Sequence, residues 1–255
     1  DLGVNLNLSN NFTYNLFPKP NFVFQEIEFM NETKKFADIK EMKIYVSFKN
    51  LFSVNKINIE NVILNKANFD LNKNNYKFFT NLLNKNFSNF SFIINNSRVI
   101  FKNIEKDVLF INKINQLKYF IDSKDKKNTL TTKNEIFNIP YSIKMKDNPP
   151  KKKIISKINF DYLKLQIQNE FTYDKILKDG LVKFDYNKNQ SEISYEIKKN
   201  FFNFVFLDKS QNKNFNYKGN INLIPFFSEI SGDIKEINVN QLFNSEAFFV
   251  QLLKT

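Results

Sequence analysis

Few residues of this 255-residue chain have the types that enzymes use for chemistry. The sequence contains no histidine and no cysteine, which removes the commonest general base, the commonest metal ligand and all thiolate chemistry. Its four glycines are isolated from one another, so a glycine-rich phosphate-binding loop cannot form. Any catalysis would have to rely on carboxylates, lysines, tyrosines or serines.

Two groups of carboxylates have a spacing that could support chemistry. Glu26 and Glu28 lie two residues apart on one face of a predicted strand, which suits an acid–base pair, but outward-facing polar residues of a half-buried strand have the same spacing. Asp122, Ser123 and Asp125 resemble a cation site, but the lysines among and beside them are typical of a solvated loop. We therefore predict no catalytic residues, no metal site and no cofactor, and expect that the protein is not an enzyme.

The chain is basic, with 38 lysines and arginines against 26 acidic residues and a formal charge of +12. Arg98 is its one arginine, whereas base recognition favours the guanidinium fork, so we predict no specific nucleic-acid binding. Lysines attract phosphates of any kind, including lipid headgroups, and they also keep a β protein soluble. Lysines and aromatics interleave at Lys198–Phe202, but the phenylalanines there alternate as strand positions, which argues against stacking on nucleic-acid bases.

Apolar residues alternate with polar ones along almost the whole chain. This period of two is typical of strands with one apolar and one wet face. The segments follow one another at short spacing, which favours an antiparallel meander over βαβ units. Shifts of phase, as from Phe24 to Ile27, suggest bulges that bend the strands. The clearest alternating positions are Ile44, Val46, Phe48, Phe92, Ile94, Val99, Phe101, Phe202, Phe204 and Phe206.

Four local features can be predicted from the residue types. Asn95-Asn96 separates two alternating runs and predicts a tight hairpin over Phe92–Phe101, because asparagine tolerates positive φ. Helical spacing predicts short amphipathic helices over Tyr76–Leu83 and Asn240–Lys254. The two prolines and the lysine run within 147–153 predict a loop, which could also be a domain boundary. We favour the loop within one domain of residues 1–255, because the alternation resumes after it.

The long apolar face is compatible with three architectures. A sandwich would bury it against a second sheet, and a transmembrane barrel would turn it toward lipid. An open, curved, U-shaped sheet would leave it as a groove for acyl chains, in which each buried methylene contributes about 0.8 kcal/mol. The predicted helices do not suit a simple barrel wall.

Several segments resemble the AsmA family of proteins. Asn11–Pro20, with its Phe17-Pro18 step, and the alternating Phe22–Ile27 are similar to the opening of those chains. Ala37–Phe69 resembles the family's unit of strand, short leucine-containing turn and strand, and the hairpin predicted at Phe92–Phe101 takes the place of the family's Asn-Gly hairpin. Asn222–Leu253 is also similar to AsmA-like chains.

The resemblance implies a function in the Gram-negative envelope. Family members, related to TamB and to bridge-like lipid transfer proteins, form a β-groove thought to pass phospholipid from the inner toward the outer membrane. It implies a periplasmic protein, anchored to the inner membrane by an N-terminal helix that a fragment such as this would lack. The ten alternating positions above would face lipid, and envelope proteins would be possible partners. The alternative is a structural or interaction protein with a closed β core that affects outer-membrane assembly.

Overall fold

The computed structural model describes residues 5–8, 12–31, 34–51, 58–72, 75, 91–103, 105–122, 127–173, 178–198, 200–208, 216–223 and 225–233. The chain divides into two compact units, unit 1 (Asp1–Phe137) and unit 2 (Asn138–Thr255). Almost all described residues lie in strands, which confirms the prediction of a mainly β fold.

Unit 1 is a sheet of strands in the order β1-β3-β4-β5-β6-β7-β8, with β2 also pairing β3. Its strands are β1 (Asn5–Asn7), β2 (Phe12–Asn15), β3 (Asn21–Asn31), β4 (Lys34–Val46), β5 (Ile59–Leu71), β6 (Ser91–Lys102), β7 (Val108–Asp122) and β8 (Lys127–Ile136). Among the described residues, no pairing joins β8 back to β1 or β2, so this sheet is open.

Unit 2 is an open antiparallel meander in which each strand pairs with the next. Its strands are β9 (Ile139–Asn148), β10 (Lys153–Phe160), β11 (Leu165–Tyr173), β12 (Lys178–Tyr186), β13 (Asn189–Lys198), β14 (Phe201–Asp208), β15 (Asn216–Leu223) and β16 (Phe226–Asp233). Within the loop predicted over 147–153, residues 149–152 connect β9 to β10 through a 3₁₀ turn at Pro149–Lys151, and Lys152 has a left-handed conformation there.

The described helical structure consists of that turn and a second 3₁₀ turn at Phe48–Leu51. The turn at Phe48–Leu51 lies between antiparallel β4 and β5, as the strand–turn–strand prediction for Ala37–Phe69 requires. The helices predicted at Tyr76–Leu83 and Asn240–Lys254 lie outside the described residues.

One pair of strands departs from the predicted meander. β5 and β6 are parallel, with Val62 opposite Phe92 and Leu64 opposite Ile94. Parallel neighbours need a connection long enough to return the chain to the same end of the sheet, and the sequence between Leu71 and Ser91 is long enough for this. Alternation alone does not distinguish the two directions, because side chains alternate between faces in both.

The predicted hairpin at Phe92–Phe101 is wrong. β6 runs straight through Asn95-Asn96, and the residues on both sides of this step pair with the same neighbours, β5 and β7. Asn96 does have the expected positive φ, of 49°. The left-handed residue shifts the phase of the strand and does not reverse the chain.

That phase shift recurs at one level in five neighbouring strands of unit 1. In each of these strands, two consecutive polar residues lie between two residues that face the apolar side. One residue of each polar pair lies opposite a residue of the polar pair in the neighbouring strand. Glu26, Lys66 and Asn96 have positive φ there, and β7 changes register at the same level. We call this row the fold line: Gln25-Glu26, Lys40-Glu41, Asn65-Lys66, Asn95-Asn96 and Asn115-Gln116.

The fold line gives a physical reason for a bend in the unit 1 sheet. Bulges bend strands and increase their twist, so we expect irregularities at one level in adjacent strands to bend the sheet as a whole. The residues next to the line are among the most buried described residues of the unit: Ile27 and Ile39 are 1% exposed, and Leu64 and Ala67 are 0% exposed. They form the centre of the unit 1 core.

The conformation of Asn96 provides a test of the fold line. Asn96→Val should lower the free energy of unfolding by about 1–2 kcal/mol, because a β-branched residue is strained at positive φ. Asn96→Gly should stay within about 0.5 kcal/mol of the parent, since glycine accepts this φ and the side chain is exposed. Urea unfolding measures both, and equal losses in the two variants would contradict the assignment.

A ladder of polar side chains follows the fold line across four strands. The Glu41 carboxylate accepts hydrogen bonds from Asn65 Nδ2 at 2.6 Å and Gln25 Nε2 at 3.5 Å, and Lys43 Nζ lies 3.2 Å away. Asn95 Nδ2 donates to Asn65 Oδ1 at 3.1 Å. Partial burial pushes the pKa of Glu41 up, but the hydrogen bonds from Asn65 and Lys43 outweigh it and hold the pKa below the usual glutamate value.

This lowered pKa predicts how stability depends on pH. A carboxylate with a lowered folded-state pKa contributes its full stabilisation above the ordinary glutamate range and loses it as the pH falls through the folded-state pKa. Glu41→Gln should therefore cost about 1 kcal/mol at neutral pH, and the difference from the parent should shrink in acid. Urea unfolding across acid pH checks this, with Lys43→Met as the companion variant, which removes one donor and should reproduce part of the effect. A difference that does not change with pH would contradict the role of Glu41.

Candidate functional site

The candidate site is one face of the unit 2 sheet. Residues opposite each other in antiparallel strands point to the same side. The strand pairings therefore place Phe204 beside Tyr195, and Phe206 beside both Ile193 and Tyr217. The same reasoning extends the face over β12 to β15. We call this surface the unit 2 apolar face; its centre comprises Val182, Ile193, Tyr195, Ile197, Phe202, Phe204, Phe206, Tyr217 and Ile221.

The unit 2 apolar face is only partly buried. All of its central side chains are intermediate in exposure, and the buried residues of unit 2, in the part of the chain that the structure describes, are Ile139 and Leu163. No second layer of described strands lies over the face, since every described strand of the unit belongs to the meander. The face is therefore a half-exposed apolar surface.

Aromatic rings pack against one another along this face. The ring centroids of Tyr195 and Phe202 are 5.7 Å apart, and those of Phe202 and Phe204 are 5.9 Å apart. The ring centroids of Phe206 and Tyr217 lie 5.9 Å apart across β14 and β15. These separations are typical of favourable aromatic pairs. The rings therefore form ridges along the face.

Each described glycine of unit 2 lies under an aromatic ring of the neighbouring strand. A Cβ atom on Gly180 would lie 2.3 Å from Tyr195 Cζ, one on Gly219 would lie 2.7 Å from Phe204 Cε1, and one on Gly232 would lie 2.4 Å from Tyr217 Cδ1. The rings fill the space that a side chain would take, an arrangement in which an aromatic residue stabilises a strand glycine. The isolated glycines therefore position the aromatics of the face.

Gly180→Ala tests this packing. The new methyl group would displace the Tyr195 ring and break the hydrogen bond that Tyr195 Oη donates to Asn169 Oδ1 at 3.0 Å, so we expect a loss of about 1–3 kcal/mol in stability. Thermal or urea unfolding measures the loss. In a Tyr195→Leu background the same substitution should cost clearly less, and an equal cost in both backgrounds would show that the ring is not what the glycine accommodates.

The opposite face of unit 2 is polar. It carries ion pairs such as Lys153–Glu170 at 2.6 Å, and the hydrogen bond from Lys153 lowers the pKa of Glu170. A shallow cleft of about 590 Å³ there has Asp179, Glu196 and Glu229 in its lining. Among the described residues, no group of three or more carboxylates is placed to hold a metal ion.

The carboxylates considered for chemistry have ordinary surface surroundings. Glu28 accepts hydrogen bonds from Asn7 and Lys35, and Lys35 also pairs with Asp38. Of the group at Asp122 and Asp125, the loop residues 123–126 lie outside the described residues. No described helix is long and apolar enough to span a membrane.

The predicted lipid-facing residues of unit 1 occupy one face, with one exception. Val46 and Ile94 are buried, and Ile44, Phe92 and Val99 pack against the core. Phe101 stacks on Phe110 with ring centroids 4.1 Å apart. The exception is Phe48, which follows the end of β4, lies in the 3₁₀ turn and is 47% exposed. The prediction that Phe48 lies on one strand with Ile44 and Val46 is wrong, because β4 ends at Val46.

The predicted residues of unit 2, Phe202, Phe204 and Phe206, all lie on the unit 2 apolar face. Their neighbours Tyr195 and Tyr217 were not among the predicted site residues. Neither were Gly180 and Gly219, which lie beneath Tyr195 and Phe204. A cross-strand signal could have found them only if the register had been known, because Phe204 lies opposite Tyr195 on one side and Gly219 on the other.

Comparison with known proteins adds no relative. No protein-family model matches the chain, and no curated protein matches it. The resemblance to the AsmA family therefore stays a prediction.

Proposed function

We propose that this protein binds phospholipid acyl chains on the unit 2 apolar face and so assists lipid transport or outer-membrane assembly without catalysis. The observation that carries the proposal is the half-exposed aromatic surface around Phe204, which no described strand covers. A contiguous, partly exposed apolar surface of this kind favours binding of an apolar ligand or a partner. An acyl chain suits a long strip of rings better than a compact ligand does, because it gains affinity with each methylene that it buries.

The setting is the one implied by the AsmA-like segments. There the chain would act in the periplasm, held to the inner membrane by a helix of the full-length protein, and would pass phospholipid between the two membranes. The lysine-rich opposite face and loops suit phosphate headgroups without specifying one.

The test is direct detection of bound lipid. The protein is purified without detergent, its bound lipids are extracted and identified by mass spectrometry, and uptake of fluorescent phospholipid is followed. We expect reproducible phospholipid in the extract and saturable uptake. A protein that is lipid-free in repeated preparations and takes up none would overturn the proposal.

The second candidate is a structural or interaction protein, and the core of unit 1 favours it for that unit. Leu64 and Ala67 are fully buried, and the predicted lipid-facing residue Ile94 is part of the same core. Such packing leaves Ile94 little surface for a ligand. Crosslinking with a photoactivatable phospholipid separates the two candidates: crosslinks at Phe204 but not at Ile94 support lipid binding by unit 2, whereas no crosslinks at either residue favour the structural function.

A further inference from the structure

The two ends of the unit 2 strands differ in charge. We use "basic end" for the end at which β9, β11, β13 and β15 finish and β10, β12, β14 and β16 begin. Among the residues that the structure describes, its connections and two outermost strand positions carry five lysines, Lys151, Lys152, Lys153, Lys178 and Lys198, against the acidic Asp147 and Asp179. At the other end, the side chains that the structure describes are balanced, with Lys164 and Lys188 against Asp161 and Asp185.

Most of the basic charge is accessible. Lys151, Lys152, Lys178 and Lys198 are exposed, although Lys198 forms an ion pair with Glu196 at 3.5 Å, and Lys153 is half-buried in its ion pair with Glu170. Asp147 accepts a hydrogen bond from Tyr173 Oη at 3.1 Å, which leaves its negative charge in place. Even with Glu170 and Glu196 counted beside Asp147 and Asp179, the lysines described at this end outnumber the carboxylates, so its charge is positive.

Three exposed phenylalanines lie at the same end of the strands. Phe201, Phe226 and Phe227 are 54%, 76% and 59% exposed, although they belong to paired strands. Lys198 lies opposite Phe201, and Phe201 and Phe227 both lie opposite Asn222. These pairings place one row on the polar face, made of Lys198, Phe201, Asn222 and Phe227. Phe226 lies in the same pair of outermost positions, on the apolar face.

We propose that the basic end of unit 2 docks on the surface of an anionic phospholipid bilayer. Exposed aromatic side chains insert between headgroups and acyl chains, and lysines beside them attract acidic headgroups. Nucleic acid would use the same lysines but gives no reason for rings at the ends of strands on both faces. The unit 2 apolar face reaches this end at Phe202 and Ile221, so docking would bring it against the bilayer. The proposal rests on the proposed function for its purpose, but its binding step is independent of any cargo.

Flotation with vesicles tests the docking step. Vesicles of phosphatidylcholine alone are compared with vesicles that also contain phosphatidylglycerol, and we expect at least tenfold tighter partition onto the anionic ones. The paired substitutions Phe226→Ser and Phe227→Ser should lower this partition at least tenfold. Lys151→Gln with Lys152→Gln should remove about fivefold per lysine and weaken the salt dependence. Tyr162→Ser, which changes an aromatic residue 66% exposed at the other end, is the matched control and should bind as the parent does.

Three results would overturn the docking proposal: equal partition onto the two kinds of vesicle, an unchanged Phe226/Phe227 variant, or an equal loss from Tyr162→Ser. Self-association that depends on Phe226 and Phe227, without vesicle binding, would also overturn it in favour of a second copy as the partner. Uptake of fluorescent lipid from cyclodextrin, which needs no bilayer, is measured in parallel. Vesicle binding without this uptake would contradict the proposed function and leave the docking proposal standing, and the reverse result would contradict docking alone.

Discussion

Phe204→Asp is expected to abolish phospholipid uptake, with affinity falling more than a hundredfold. Phe204 lies at the centre of the unit 2 apolar face, beside Tyr195 and above Gly219. An aspartate in the middle of an apolar layer costs about 3 kcal/mol, and each 1.4 kcal/mol corresponds to a factor of ten in affinity. The measurement is titration with fluorescent phospholipid supplied from cyclodextrin.

The matched control is Val205→Asp, one residue further along the same strand. Val205 points to the polar face and is 41% exposed, so the control introduces the same charge and the same weak strand former without touching the proposed ligand. It should take up lipid as the parent does. Equal loss of uptake in both variants would indicate a general effect on folding, which urea unfolding of both would reveal.

Phe204→Ala completes the series if the aspartate variant does not fold. It removes apolar area without adding a charge, so we expect intermediate affinity, reduced about tenfold. Unchanged affinity in a folded Phe204→Ala protein would contradict the placement of acyl chains at the centre of this face.

Strand content could be predicted from the sequence because alternation is a local property. Side chains at i and i+2 share a face whatever the strand pairs with. The common face of Phe202, Phe204 and Phe206 can therefore be predicted without any knowledge of the fold. The phase shift between Phe24 and Ile27 was also visible, and Glu26 with a φ of 48° is its cause. The direction and register of pairing are not local, and the parallel pair β5–β6 and the course of β6 through Asn95-Asn96 therefore escaped prediction.

The candidate site was predictable only in part for the same reason. The alternating phenylalanines indicated an apolar face, but the distinction between a packed face and an open one depends on what lies opposite. Ile94 and Phe204 have similar sequence surroundings, yet the first joins a core and the second remains half-exposed. The glycines beneath Tyr195 and Phe204 acquire a role only through cross-strand neighbours.

The positions of left-handed residues explain why the two units differ. In unit 1, Glu26, Lys66 and Asn96 have positive φ in the middle of strands, at the fold line. In the described part of unit 2, the non-glycine residues with positive φ lie in the connections between strands, as at Lys152 and Lys164. The described pairings of unit 2 contain no register shift, so its sheet lacks the row of mid-strand irregularities that we expect to bend the sheet of unit 1. One pattern of alternation thus gives a closed core in unit 1 and an open surface in unit 2.

This difference makes Leu64→Ala the substitution with the largest expected effect on stability. Leu64 is fully buried beside the fold line, between Met42 and Ile94 on the neighbouring strands. Removing its side chain loses the transfer free energy and leaves a cavity that a bent, packed sheet cannot easily close, so we expect a loss of about 3–4 kcal/mol. Urea unfolding followed by circular dichroism measures it.

Leu165→Ala is the matched control, because the same residue type lies half-buried on the apolar face of unit 2, opposite Phe160 and Tyr186. Its truncation should cost only about 1 kcal/mol, since the leucine already contacts solvent and no closed cavity results. The ratio of the two costs measures how much more tightly the first face is packed than the second. Costs of equal size would contradict the distinction between a closed face and an open one, and with it the assignment of lipid binding to unit 2 alone.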